Sequence, residues 1–180
     1  MKGFLAHRNY HLEFLAGLCI TLSAGMGGCT SLKVETNHSK KADFTKIRSY
    51  SWVPGEAKMS GVYPERVEIV APTIKSAIEK ELAAKGIKKI TTGAPDILVA
   101  FHAAAYTKEI VDWEWEDESP QKKHYRKGTL FVDLIDPKSK IVLWWGIAEL
   151  TKSGARPSED DVIKLIQESI MEMFQKYPPR

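Results

Sequence analysis

Cysteine is scarce in this 180-residue chain: there are two, Cys19 and Cys29, and none after position 29. Everything beyond residue 29 is therefore without a disulfide or a cysteine-ligated metal site, which suits an oxidising compartment. A long hydrophobic run is also missing. Crossing a bilayer takes about 20 apolar residues, and the longest such segment, from about Phe14 to Met26, falls short of that. Neither sign of charge dominates: 26 basic and 23 acidic residues leave a net +3, too small and too scattered for a nucleic-acid footprint. Internal repeats are absent. Beyond residue 28 there is no His-x-x-x-His pair, no Gly-x-Ser-x-Gly elbow, no EF-hand spacing and no glycine-rich phosphate loop. No catalytic constellation, metal site or cofactor is expected, and the chain reads as a protein that is not an enzyme.

What is present begins with an address. Lys2 and Arg8 give a positive start, the apolar segment matches the roughly 7–15 residues of an export signal, and Gly27-Gly28 set small side chains before Cys29. This order resembles the lipobox of bacterial lipoproteins, in which a diacylglycerol is attached to the cysteine thiol. The resemblance implies that residues 1–28 are a removed signal peptide and that the working molecule begins at a lipid-bearing Cys29. Thr30, standing where an aspartate would retain such a protein at the inner membrane, implies sorting to the outer membrane, facing the periplasm. Cys19 is a poorer candidate because bulky Leu18 precedes it. Removing 28 residues leaves 152, the size of one domain, and takes away a net charge of +1, leaving +2.

Residues 29–41 are mostly polar and read as a lipidated tether, with Lys33-Val34-Glu35-Thr36 alternating as a short strand would. Residues 42–180 read as a single domain. Ile47 to Val53 is β-rich and closes on Pro54-Gly55; Glu56 to Tyr63 is loop-like. Val70, Ile74, Ile78 and Leu82 recur at helical steps, with Pro72 expected in the first turn and Gly86 as the stop. Pro95 to His102 is apolar on both faces, hence a central strand, with a continuation as far as Tyr106 left open. Gly128 to Ile135 and Ile141 to Leu150 flank Asp136-Pro137, a hairpin. Thr151 to Pro157 reads as a loop. Ser158 caps a last helix whose stripe runs through Val162, Leu165, Ile166, Ile170, Met173 and Phe174. The expected fold is α+β: an antiparallel or mixed sheet of about five strands with two helices packed mainly on one face.

Several short features then fall into a familiar order. Asp43-Phe44, Tyr50-Ser51-Trp52, Leu82 with Lys85-Gly86, Pro95-Asp96, Gly128-Thr129-Leu130 with Asp133, Asp136-Pro137, Trp144 with Gly146, and the terminal Pro178-Pro179 resemble the bacterial lipoprotein family known as domain of unknown function 4136. The likeness runs from about residue 33 to the end. Trp145 departs from it, where arginine is common, and so does the stretch around 112–118. The family implies a fold and an envelope address but no reaction.

That individual stretch, Asp112-Trp113-Glu114-Trp115-Glu116-Asp117-Glu118, is the most unusual composition in the chain. Trp113 and Trp115 either cover the sheet while the acids stay in water, or form a recognition patch, since aromatics concentrate at binding hot spots. Alternation gives one of Trp144 and Trp145 to each sheet face, so one of them joins a candidate contact surface unless the segment 107–127 covers it. The basic run Gln121 to Lys127 is expected to pair with the acidic stretch across a turn, the alternative being a site for an anionic headgroup or glycan phosphate. Asp133 and Asp136 fall on opposite faces and make no catalytic pair, and His102 and His124 lie far apart. The leading expectation is a non-enzymatic binding or assembly module of the envelope, its partners the membrane through Cys29 and another envelope protein. The alternative is a carrier of a small amphiphile held between sheet and helix; a hydrolase is third. Mass spectrometry of the native protein is expected to find Cys29 acylated at the amino terminus, and Cys29→Ser to release the protein from the membrane fraction.

Overall fold

The computed structural model describes residues 30–62, 64–112 and 121–179. The strands are β1 (Thr30–His38), β2 (Ser49–Ser60), β3 (Lys88–Lys89), β4 (Ile97–Asp112), β5 (Gln121–Ile135) and β6 (Val142–Ser153). The helices are α1 (Pro64–Ala84) and α2 (Glu159–Gln175). The sheet order is β1-β6-β5-β4-β2-β3, with β2 parallel to β3 and β4 and every other pair antiparallel. The α+β class and the mixed sheet follow the expectation; the six strands exceed the expected five.

The extra strand is the two-residue β3, and the short strand expected at residues 33–36 is the longer β1. Residues 30–38 are no free tether, because Leu32, Val34 and Thr36 alternate inward and the whole segment pairs with β6, from Thr30 opposite Lys152 to His38 opposite Trp144. β2 runs through the expected loop after an irregularity between Trp52 and Ala57, where Pro54-Gly55 interrupts the ladder. α1 starts earlier than its apolar stripe suggested. Pro64 takes the first position and Pro72 lies in the interior, where its ring removes one helical hydrogen bond. Residues 107–112 and 121–127 form an antiparallel arm that prolongs β4 and β5. Residues 106–112 pair with 121–127, so Lys122 and Lys123 stand opposite Val111 and Ile110 and Gln121 opposite Asp112, while the rest of the acidic stretch, 113–118, lies outside the described residues.

Local rules explain much of the rest. Asp136 accepts hydrogen bonds from the backbone N–H groups of Lys138 and Ser139 at 3.1 and 2.6 Å and closes the β5–β6 turn on itself. Ser158 and Asp161 form a reciprocal capping box at the start of α2. Asp96 accepts from the N–H groups of Arg48 and Ser49 at 2.9 and 2.8 Å; these bonds hold its carboxyl below the ordinary range and tie the start of β2 to β4. Glu79 on α1 joins that helix to the sheet, accepting from the Trp52 indole at 2.9 Å and from Lys89 at 2.6 Å.

Both helices cover one sheet face. The register sets Val99, Leu134 and Trp144 in one row of that face and Phe101, Val132 and Gly146 in the next. Against these pack Ile74, Ile78 and Leu82 of α1 and Ile170, Met173 and Phe174 of α2. Trp144 meets Phe174 and Tyr177 with ring centroids 5.3 and 5.4 Å away, and Phe44 closes on Tyr177 at 5.6 Å. This places Trp144 in the core, 1% exposed, and corrects its assignment to a contact surface: its indole lies over Gly146. A Cβ on Gly146 would sit 2.8 Å from the indole and 2.9 Å from the Met173 sulfur. Gly146→Ala is therefore expected to cost about 1–3 kcal/mol, the usual penalty for overpacking a core, read as a lower midpoint in urea unfolding.

Candidate functional site

The core is solid at one end only. Toward the other end the covered face loses its large side chains: the rows Ala103–Leu130–Ala148 and Ala105–Gly128–Leu150 replace the bulk of Phe101, Leu134 and Trp144. Over these small residues pass the N-terminal halves of both helices, carrying Val70, Ile74, Val162, Leu165 and Ile166. The result is a cavity of about 460 Å³ between sheet and helices, lined mainly by these apolar groups. That lies within the roughly 300–1,000 Å³ of small-molecule sites. Ser169, the buried polar side chain in its wall, donates back to the Leu165 carbonyl at 2.7 Å and so offers the cavity little polarity.

The rim is chemically different from the floor. One row further out, Thr107, Arg126, Lys152 and Thr30 stand side by side across β4, β5, β6 and β1, on the face that the helices cover. Arg126 donates to the Gly154 carbonyl. Arg66, from the first turns of α1, donates to the Pro157 carbonyl at 2.8 Å. Lys152 lies 3.8 Å from Asp161, and Arg156 3.2 Å from Glu65. Hydrogen bonding from Ser158, with the charge of Lys152 behind it, holds the Asp161 carboxyl below its ordinary value. With Lys127 the lining contains five cations and no carboxylate.

The sequence-based candidates are distributed differently. Cys29, Trp113 and Trp115 lie outside the described residues. Trp145 sits half-buried on the opposite, helix-free face, as alternation requires once Trp144 is inside. Around it the register gathers Asp133, Phe131 and Ile147, with Phe131 40% exposed. His102 and Asp133 are diagonal neighbours there, since His102 pairs with Phe131 and Ala100 with Asp133. Among the described residues no three His, Cys, Asp or Glu side chains cluster to hold a metal ion. No helix among them is long and apolar enough to cross a membrane.

The residues that line the cleft were missed. Arg126 read as part of a basic run and Lys152 as part of a loop; the alternation of Ala148, Leu150 and Lys152 was the available signal. It could not show that Arg126 would stand opposite Lys152.

A family model described as domain of unknown function (DUF4136) matches residues 34–179. The chain belongs to that family. None of the curated proteins matches the sequence. Among solved structures, a PDZ domain protein from Parabacteroides distasonis shares 14% identity with a TM-score of 0.54, over 86% of this chain but 38% of its own. The PelC dodecamer protein of Paraburkholderia phytofirmans shares 13% with a TM-score of 0.46, over 83% and 99%. A minor lipoprotein from Acinetobacter baumannii shares 8% with a TM-score of 0.41, over 72% and 91%. At such identities the first of these likenesses is one of fold, and the family member's site rests on its own geometry.

That geometry makes a direct forecast at Gly128. A Cβ there meets nothing nearer than the Leu150 Cβ at 3.9 Å. Gly128→Ala is expected to stabilise the domain by about 0.4–1 kcal/mol through the unfolded chain, measured as a higher melting temperature, in contrast to the loss at Gly146.

Proposed function

We propose that this protein is a non-enzymatic binding module of the bacterial envelope, anchored to the outer membrane by lipid on Cys29, that accommodates the hydrocarbon part of an amphiphile between its sheet and its helices. The observation that carries the reading is the cavity of about 460 Å³, floored by Ala103, Gly128, Leu130 and Ala148, with charged groups confined to its rim. Such a site offers a hydrocarbon chain the transfer free energy of leaving water, about 0.8 kcal/mol per methylene, and offers a polar substrate little. It also lacks the paired titratable groups that acid–base chemistry needs. The amphiphile reading thus overtakes a purely surface-mediated role.

A second reading keeps the helix-free face as a contact surface for another envelope protein. Half-exposed Phe131 beside Trp145 and Ile147 favours it, because exposed aromatic patches mark interaction sites.

The two separate cleanly. Purified protein is expected to quench or displace an environment-sensitive alkyl probe, and Gly128→Leu, which pushes a side chain into the cavity, to abolish that signal while Trp145→Ala leaves it intact. A probe response lost with Trp145→Ala and kept with Gly128→Leu would move the function to the open face.

A further inference from the structure

We propose that the mouth of the cleft is a clamp for a negatively charged headgroup, and that its occupant is an acidic lipid taken up from the membrane to which the chain is anchored. This rests on the amphiphile reading above and adds the ligand's charge and source.

The charge follows from the row Thr107–Arg126–Lys152–Thr30. Like charges directly opposite each other on neighbouring strands disfavour the sheet, and here they face inward beneath two helices. The Lys152 side chain is only 20% exposed. The carbonyls of Gly154 and Pro157 satisfy N–H groups of Arg126 and Arg66 and fix their direction without neutralising them, and the two carboxylates nearby, Glu65 and Asp161, are fewer than the five cations of the lining. The acids nearest these cations, Glu65 and Asp161, belong to the first turns of the helices and take no part in the lining. A phosphate or carboxylate on this row fits the guanidinium fork and offsets the repulsion together. A neutral headgroup does neither.

The source follows from where β1 begins. Thr30 ends that same row, already paired with Lys152. Consecutive Cα atoms are about 3.8 Å apart, so a lipid on Cys29 is attached beside the mouth with no tether between them. An acylated Cys29 therefore brings the open end of the domain, rather than the Trp144 end, to the bilayer surface. A lipid then enters tail first toward Leu130 and Ala148 and leaves its headgroup at Arg126 and Lys152.

The test uses full-length acylated protein reconstituted in vesicles of phosphatidylcholine with a trace of pyrene-labelled phosphatidylglycerol or pyrene-labelled phosphatidylcholine. Soluble dansyl-labelled alkyl carboxylate and the matching alkyl alcohol serve as probes without a membrane source. Uptake of the phosphatidylglycerol is expected to exceed that of phosphatidylcholine by about tenfold or more, because both present a phosphate but only the choline brings a cation against the basic row. The double variant R126Q/K152Q is expected to remove that preference while leaving the alcohol's binding unchanged. A flexible Gly/Ser linker between Cys29 and Thr30 should slow uptake from the vesicle without changing the affinity for the soluble carboxylate. Equal binding of charged and neutral probes by the unaltered protein would overturn the clamp and leave the cleft reading standing. Binding of the soluble carboxylate without uptake from vesicles would overturn the membrane source. Failure of every probe would remove the amphiphile reading itself. Because the headgroup comparison is made on the unaltered protein, it decides even if the double variant does not fold.

Discussion

Trp144 lies over Gly146, where the missing side chain leaves room for an indole, and Phe174, Tyr177 and Met173 close on it from α2 and the segment that follows. The rest of the molecule depends on this packing. It fixes the C-terminal end of α2 at one end of the sheet, and Lys176 adds a hydrogen bond to the Val34 carbonyl of β1 at 2.8 Å. Large rings buried together contribute their area and a further ~0.5–1.5 kcal/mol per well-oriented pair. With both helices held at that end, their N-terminal halves have to cross a region of the sheet that offers only alanine, glycine and single leucines. The close-packed end and the cavity are two consequences of one arrangement.

The cations at the mouth belong to the same scheme. Three come from different ends of the chain's path, namely Arg66 at the start of α1, Arg126 on the arm and Lys152 near the end of β6, and converge because both helices begin where those strands reach the open end. Apolar floor and charged rim give the cleft the polarity of an amphiphile. β1 adds direction: its pairing begins with Thr30 opposite Lys152, in the row at that mouth. The opposite face, with Trp145, Phe131 and Ile147, stays clear of the helices and remains a separate surface.

Elements with a strong local signature were legible in the sequence. The Asp136 turn, the Ser158 cap and the stripe of α2 each depend on residues within a few positions of one another, and each formed where expected. Pro72 misled because its ring is most at home in a first turn, and burial of Val70, Ile74 and Ile78 keeps the helix intact around it. β1 was underestimated because an edge strand with polar residues on its outer side reads as solvated chain until its partner is known. The tryptophans divided as alternation demands, yet only packing against Phe174 and Tyr177 decided that Trp144 goes inside.

By itself the sequence determined the α+β class, the family, the Asp136 turn, the bounds of α2 and the absence of any thiol beyond Cys29, since these are carried by periodicity, turn chemistry and composition. The tertiary structure alone decided that a cleft exists and that Arg126 faces Lys152 beside Thr30. Cavity and clamp arise from register between strands distant in the chain and from the volume left where small side chains meet, and neither quantity is written in any local stretch of residues.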